Sequence, residues 1–144
     1  KPMEYIEIGT GRTLTEGESI AFLTIGAIGN LTVKAVQQLN KQHIFPGHYD
    51  MRFVKPLDEK MLHDLCSRYP TLITVEDGCL QGGFSSAVLE FMADHGYSNR
   101  VIRLGIPDKV VHQGTQQELY AECGYDADAM IQKVLDLVGE KAPV

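Results

Sequence analysis

The sequence predicts an α/β protein, a mainly parallel sheet with helices on both faces. Four strand-length segments recur along the chain: "IAFLTI" (20–25), "HYDMRFV" (48–54), "TLITVE" (71–76) and "VIRLGI" (101–106). The stretches between them carry helical periodicity. Strands that alternate with helices of about ten to fifteen residues imply parallel pairing through crossovers. A length of 144 residues suits one domain of this kind.

Residues 1–18 show little periodicity and several turn formers (Gly9, Gly11, Gly17), and read as a linker with one short edge strand. The domain proper is expected over 19–144. After the first strand, Ile28, Leu31, Ala35, Val36 and Leu39 fall at helical spacing. In the second, Tyr49, Met51 and Phe53 share one face, and Asp50 and Arg52 the other. Asp58 is placed to cap the next helix, with Leu57 and Leu62 at the two positions of a hydrophobic staple. Phe84, Ala87, Val88, Phe91 and Met92 form the apolar stripe of the third helix, which Gly96 ends. Thr115 and Glu118 make a capping box for a short helix closed by Gly124. A last helix from about Asp126 turns Met130, Ile131, Val134, Leu135 and Val138 inward.

Composition narrows the function classes. The formal net charge is −6 and no run of Lys or Arg occurs, which argues against a nucleic-acid surface. Cys66, Cys79 and Cys123 are odd in number and form no C-x-x-C pair. Reduced thiols in a cytoplasmic protein are the expectation. The longest apolar runs are too short to span a membrane. The opening "KPMEYIEIG" has no natural start, so the chain is expected to be a piece of something longer.

The stretch "TVEDGCLQGGFSSAVLEF" (74–91) runs from a strand through glycines into a helix, a position where open parallel sheets bind ligands. It lacks the order G-x-G-x-x-G and the Lys-Ser/Thr of a P-loop. Glu76 and Asp77 would repel a phosphate unless a metal intervened. The glycines therefore read as serving tight turning and close packing, with the acids facing a helix N-terminus or a neighbouring chain. The histidines (43, 48, 63, 95 and 112) form no H-x-x-H or H-E-x-x-H pair, so no metal site is expected. His63 reads as a surface residue. His112, in "PDKVVHQGT", is the histidine best placed to touch a ligand or partner. No G-x-S-x-G nucleophile elbow occurs. Cys79, beside two acids, reads as a small apolar filler. Asp50 and Arg52 could pair with each other, or Arg52 could reach an anionic partner. No self-sufficient catalytic constellation emerges.

Four segments carry a resemblance: "YDMRFVKPLDEKML" (49–62), "LITVEDGCLQGGFSSAVLEFM" (72–92), "LGIPDKVVHQGT" (104–115) and "AECGYDADAMIQKVL" (121–135). Together they resemble the C-terminal third of the 1-deoxy-D-xylulose-5-phosphate synthase family. The string D-M-R-F-V-K-P-L-D is its most specific part, because other transketolase-like enzymes share the fold without it. The chain departs from the family where T-V-E-E-N-A is usual, with Glu76-Asp77-Gly78-Cys79, and in Phe84-Ser85-Ser86 after the glycines.

The resemblance implies a three-layer α/β/α sandwich. Its five-stranded sheet is mostly parallel with one antiparallel edge strand, placed here within residues 10–17. It also implies an enzyme of three α/β domains, of which two bind thiamine diphosphate and Mg²⁺ while the third, matched here, is largely structural. That enzyme decarboxylates pyruvate and joins the remnant to D-glyceraldehyde 3-phosphate, giving 1-deoxy-D-xylulose 5-phosphate, a precursor of isoprenoids, thiamine and pyridoxal. Its metal motif, Gly-Asp-Gly followed later by Asn, has no match, and its activating Glu lies in the preceding domain. No catalytic, cofactor-binding or metal residue is carried over, and no cofactor is expected on this chain alone. The implied partners are the preceding domains and the second subunit of a homodimer, without nucleic acid or membrane. Arg52, Glu76, Asp77, Gly82, Gly83 and His112 are the expected contact residues. The other readings are a stand-alone assembly module of this fold, or the last domain of another transketolase-like enzyme.

Overall fold

A computed structural model describes residues 2–140. The strands are β1 (Arg12–Thr15), β2 (Ile20–Ile25), β3 (Gly47–Asp50), β4 (Thr71–Cys79) and β5 (Arg100–Ile106). The helices are α1 (Gly29–Lys41), α2 (Glu59–Arg68), α3 (Phe84–Asp94), α4 (Gln116–Cys123) and α5 (Ala127–Glu140). One sheet forms in the order β1-β3-β2-β4-β5. β1 runs antiparallel to β3 at the edge, and all other pairings are parallel. This is the mixed sheet that the resemblance implies, with its antiparallel strand inside residues 10–17.

The central strands explain their own composition. β2 and β4 are covered on both faces, so they read as continuous apolar runs. Phe22, Ile73, Val75 and Leu104 pack with residues of α1 and α5, including Leu39, Val134 and Leu137. Ala21, Leu23 and Leu72 point the other way and pack with Leu62 and Leu65 of α2 and Val88 and Phe91 of α3. Two apolar cores thus sandwich the sheet. The crossovers diverge on either side of the β2–β4 pair, and the strands' carboxyl ends carry the loops of interest.

The local signals hold. Asp58 accepts the amide of Met61 (2.9 Å), and Leu57 packs on the core that contains Leu62. Thr115 and Glu118 form a reciprocal capping box, and Gly96 and Gly124 adopt φ +72° and +74° beyond their helices. Asp126 accepts the amide of Ala129 (2.8 Å) at the start of α5. No helix among the described residues is long and apolar enough to cross a membrane.

Four expectations need correction. β3 stops at Asp50 instead of continuing to 54, because Arg52 takes φ +60° and donates its amide to Asp50 Oδ1 (3.1 Å). That turn breaks the alternation, although Met51 is still buried. β4 runs on to Cys79, which pairs with Ile106 across an irregularity, so half of the expected turn is strand. In α5 Met130, Val134 and Leu137 are buried and Ile131 and Leu135 pack half-buried on the same core, so of the expected residues only Val138, 41% exposed, turns away. The i, i+4, i+7 spacing of the buried three faces α1 and the sheet. His63 is only half at the surface: its Nδ1 meets the Tyr97 hydroxyl (2.6 Å) and its ring abuts Phe91 and His95.

Candidate functional site

The glycine-rich segment closes around Glu76. This residue sits where β4 loses its regular pairing, and its side chain turns to the α3 side of the sheet. It is 4% exposed. Oε1 accepts the amide of Phe84 (2.9 Å) and Oε2 that of Ser85 (2.8 Å). Both are first-turn amides of α3 that lack partners within the helix. The carboxylate therefore occupies the place an anion would take, and its charge complements the positive end of the helix. Its oxygens are spent inside the domain.

The rest of the loop is likewise self-satisfied. Gly82 holds φ +73° and donates its amide to Ser86 Oγ (3.0 Å). Ser86 Oγ in turn donates to the Leu80 carbonyl (3.0 Å). Arg103 of β5 donates to Ser85 Oγ (2.9 Å) and also reaches Ser86 and the Leu80 carbonyl. Gly82 faces open space, with nothing within 4 Å of a β-carbon built there. Cys79 is exposed, so it fills no core gap within this chain.

Asp77 works across the sheet end. It accepts the hydroxyls of Tyr120 (2.7 Å) and Tyr125 (3.1 Å), tying α4 to the end of β4. Burial first, then Asp77, pushes the Tyr120 hydroxyl up to about 12, and the same causes raise Tyr125 further. A hollow of about 360 Å³ lies here, lined by Asp77, Ile106, His112, Gln116 and the two tyrosines among others. His112 is exposed on its lining.

Arg52 stands apart, at the end of β3. Asp50 does not pair with its guanidinium; that carboxylate accepts Arg12 Nε (3.1 Å). The Arg52 side chain makes no ion pair or hydrogen bond among the described residues. Of the six expected contact residues, then, Asp77 and His112 share a hollow and Gly82 and Gly83 share a loop. Glu76 turns inward, and the Arg52 side chain has no polar partner among the described residues.

Two features escaped sequence reasoning. His48 is 1% exposed, its Nε2 lies 2.9 Å from Thr24 Oγ1, and Nδ1 has no partner. Burial pulls its pKa down to about 4, with Asp50 opposing and Arg12 assisting. Arg68 donates to Asp64 (2.7 Å), Glu16 (2.8 Å) and the Tyr49 hydroxyl (3.1 Å), which meets that of Tyr69 (2.7 Å). Only the i, i+4 pair of Asp64 and Arg68 was visible in the sequence.

Thiamine diphosphate does not fit these residues. The amides at the start of α3 are taken by Glu76, and no cluster of three or more His, Cys, Asp or Glu among the described residues could hold a metal.

Residues 9–130 match the family model described as transketolase, C-terminal domain. The chain is 53% identical over 133 residues to 1-deoxy-D-xylulose-5-phosphate synthase of Porphyromonas gingivalis, covering 92% of this chain and 21% of that protein. It is 52% identical over 138 residues to the enzyme of the same name from Cytophaga hutchinsonii, covering 96% and 22%. The chain thus spans about a fifth of the length of these relatives. Among solved structures, a split-gene transketolase, described as an inactive β4 tetramer, superposes with TM-score 0.85 and 26% identity, over 94% of this chain and 44% of that one. The chain belongs to the transketolase C-terminal domain family.

Proposed function

We propose that this chain is the last domain of a thiamine-diphosphate-dependent synthase that makes 1-deoxy-D-xylulose 5-phosphate and CO₂ from pyruvate and D-glyceraldehyde 3-phosphate. The observation that carries the reading is the 53% identity to a synthase of that name over 92% of the chain. The product feeds isoprenoid, thiamine and pyridoxal synthesis, in the cytoplasm. In such an enzyme thiamine diphosphate would supply a nucleophilic carbon and an electron sink. It and its Mg²⁺ are held by the preceding domains.

This domain's own part is structural. Its sheet fixes the carboxyl-end loops, and Arg52, Asp77, Gly82, Gly83 and His112 meet the preceding domains or the second subunit of a homodimer. Glu76 contributes indirectly, by shaping the loop from inside. A carboxylate already seated on α3 supports contact with protein over contact with phosphate. A stand-alone assembly module is the second reading, and the described residues' lack of a placed acid–base pair is compatible with it.

The test has two parts. The reading frame upstream of Lys1 is expected to contain Gly-Asp-Gly, and the full-length protein to form the product with cofactor and Mg²⁺. Calorimetry of the 144-residue chain with the same cofactor and metal is expected to give no binding heat. Tight binding would overturn the structural role, and an inactive full-length protein would overturn the reaction.

A further inference from the structure

We propose that the groove between the 54–57 loop and α3 docks a basic, apolar-faced segment of the polypeptide preceding this domain. The inference rests on the reading that the chain closes a longer enzyme, and it names where that enzyme grips it.

The groove encloses about 710 Å³ and has an apolar lining that includes Val54, Leu57 and Phe91. Glu59, Glu90 and Asp94 also line it, and none of these carboxylates has an ion-pair or hydrogen-bond partner among the described residues. Lys55 is the one lysine on the lining, so three carboxylates stand against a single lysine, with the His95 ring beside Phe91. Covering them with a neutral surface would strip their water without compensation. A cationic segment would offset that cost, while apolar side chains on its inner face would fill the floor.

The chain itself approaches this place. A β-carbon on Gly9 would lie 3.0 Å from Pro56 Cγ, so the backbone at residue 9 rests on the 54–57 loop. The amide of Gly11 donates to Asp58 Oδ2 (2.8 Å), just beyond the loop. Before that anchor, Met3, Tyr5 and Ile8 are 102%, 90% and 72% exposed, interleaved with the acidic Glu4 and Glu7, so this stretch itself is uncovered and is not the basic segment the groove would take. Any preceding polypeptide joins the chain eight residues before the Gly9 contact, within tether reach of the groove. A second copy of this chain is a poor occupant, because a two-fold contact would bring the acidic rim against itself. The net charge of −6 makes that worse.

Carboxylate labelling of the full-length protein with a carbodiimide and an amine tests this. Glu59, Glu90 and Asp94 are expected to react about tenfold more slowly than exposed Asp108, because a covered carboxylate reacts only when the docked segment opens. Zero-length cross-links from them are expected to reach lysines upstream of Lys1 in the same polypeptide. The double variant Glu90→Lys/Asp94→Lys is expected to lose those cross-links and bring Glu59 up to the Asp108 rate. Free labelling of all three carboxylates in an active full-length synthase would overturn the docking site and leave the reaction standing. Cross-links between copies, seen with isotope-mixed protein, would overturn the choice of occupant. Absence of any upstream domain would overturn the reading beneath it.

Discussion

Gly83 lacks a β-carbon where Glu76 needs the room: one placed there would lie 2.1 Å from Glu76 Oε1 and 2.3 Å from the Cys79 carbonyl. Its φ of −90° is open to any residue, so the requirement is close approach and not backbone freedom. The start of α3, the end of β4 and the capping carboxylate pass through one small space. The amides of Phe84 and Ser85 are thereby taken by Glu76.

The two adjacent glycines are therefore expected to respond differently. Gly83→Ala pushes the Glu76 carboxylate off the Phe84 and Ser85 amides, and should cost about 1–3 kcal/mol, as overpacking does. Gly82→Ala meets no atom but strains a left-handed residue, at about 1–2 kcal/mol. Urea denaturation measures both costs. Hydrogen exchange at the 84 and 85 amides separates them, because only Gly83→Ala should accelerate it.

Asp58 serves two partners, Met61 through Oδ1 and Gly11 through Oδ2. Asp58→Ala removes the helix cap, expected to cost about 0.5–2 kcal/mol, and it also frees the backbone leading into β1. Asp58→Asn should recover most of the cap. A thermal melt in which the alanine variant matches the parent would contradict the cap.

His48 should give the stability curve an acid limb. Above its ordinary value of 6.5 the ring is neutral in both states and adds no pH dependence. Between 6.5 and about 4 the unfolded chain takes up a proton that the buried ring refuses, so stability falls as pH falls. Below about 4 both states are protonated and this slope vanishes. The limb is worth about 3 kcal/mol in all. Denaturation midpoints across that range should flatten in His48→Gln relative to the parent.

Asp77→Asn keeps the shape of the side chain and removes its charge. Tyr120 should then ionise at a lower pH than its present value of about 12, yet still above 10, because burial is the larger cause of its shift. Ultraviolet titration of tyrosine reads this directly. α4 buries no residue and is held to the sheet end through Tyr120 and Tyr125. Faster hydrogen exchange over 116–123 should accompany the change.

The sequence by itself determined what short-range physics controls. Apolar runs marked the cores of β2 and β4, because strands buried on both faces are largely apolar. The caps at Asp58 and Thr115 and the stops at Gly96 and Gly124 are set by groups within a few residues of each other. Four ordered motifs were enough to mark the family. The tertiary structure decided where the remaining charges go. Glu76 faces inward because α3 folds back over β4 and offers it two amides eight and nine residues away. Asp77 finds its tyrosines 43 and 48 residues along the chain, and Thr24 meets His48 only because β2 and β3 lie side by side. In α5 the apolar residues are dense enough to allow two stripes, and contact with α1 and the sheet selects the one through Leu137. Spacing along a chain fixes periodicity and caps; which of several polar groups becomes a partner is fixed by strands and helices brought together from far apart.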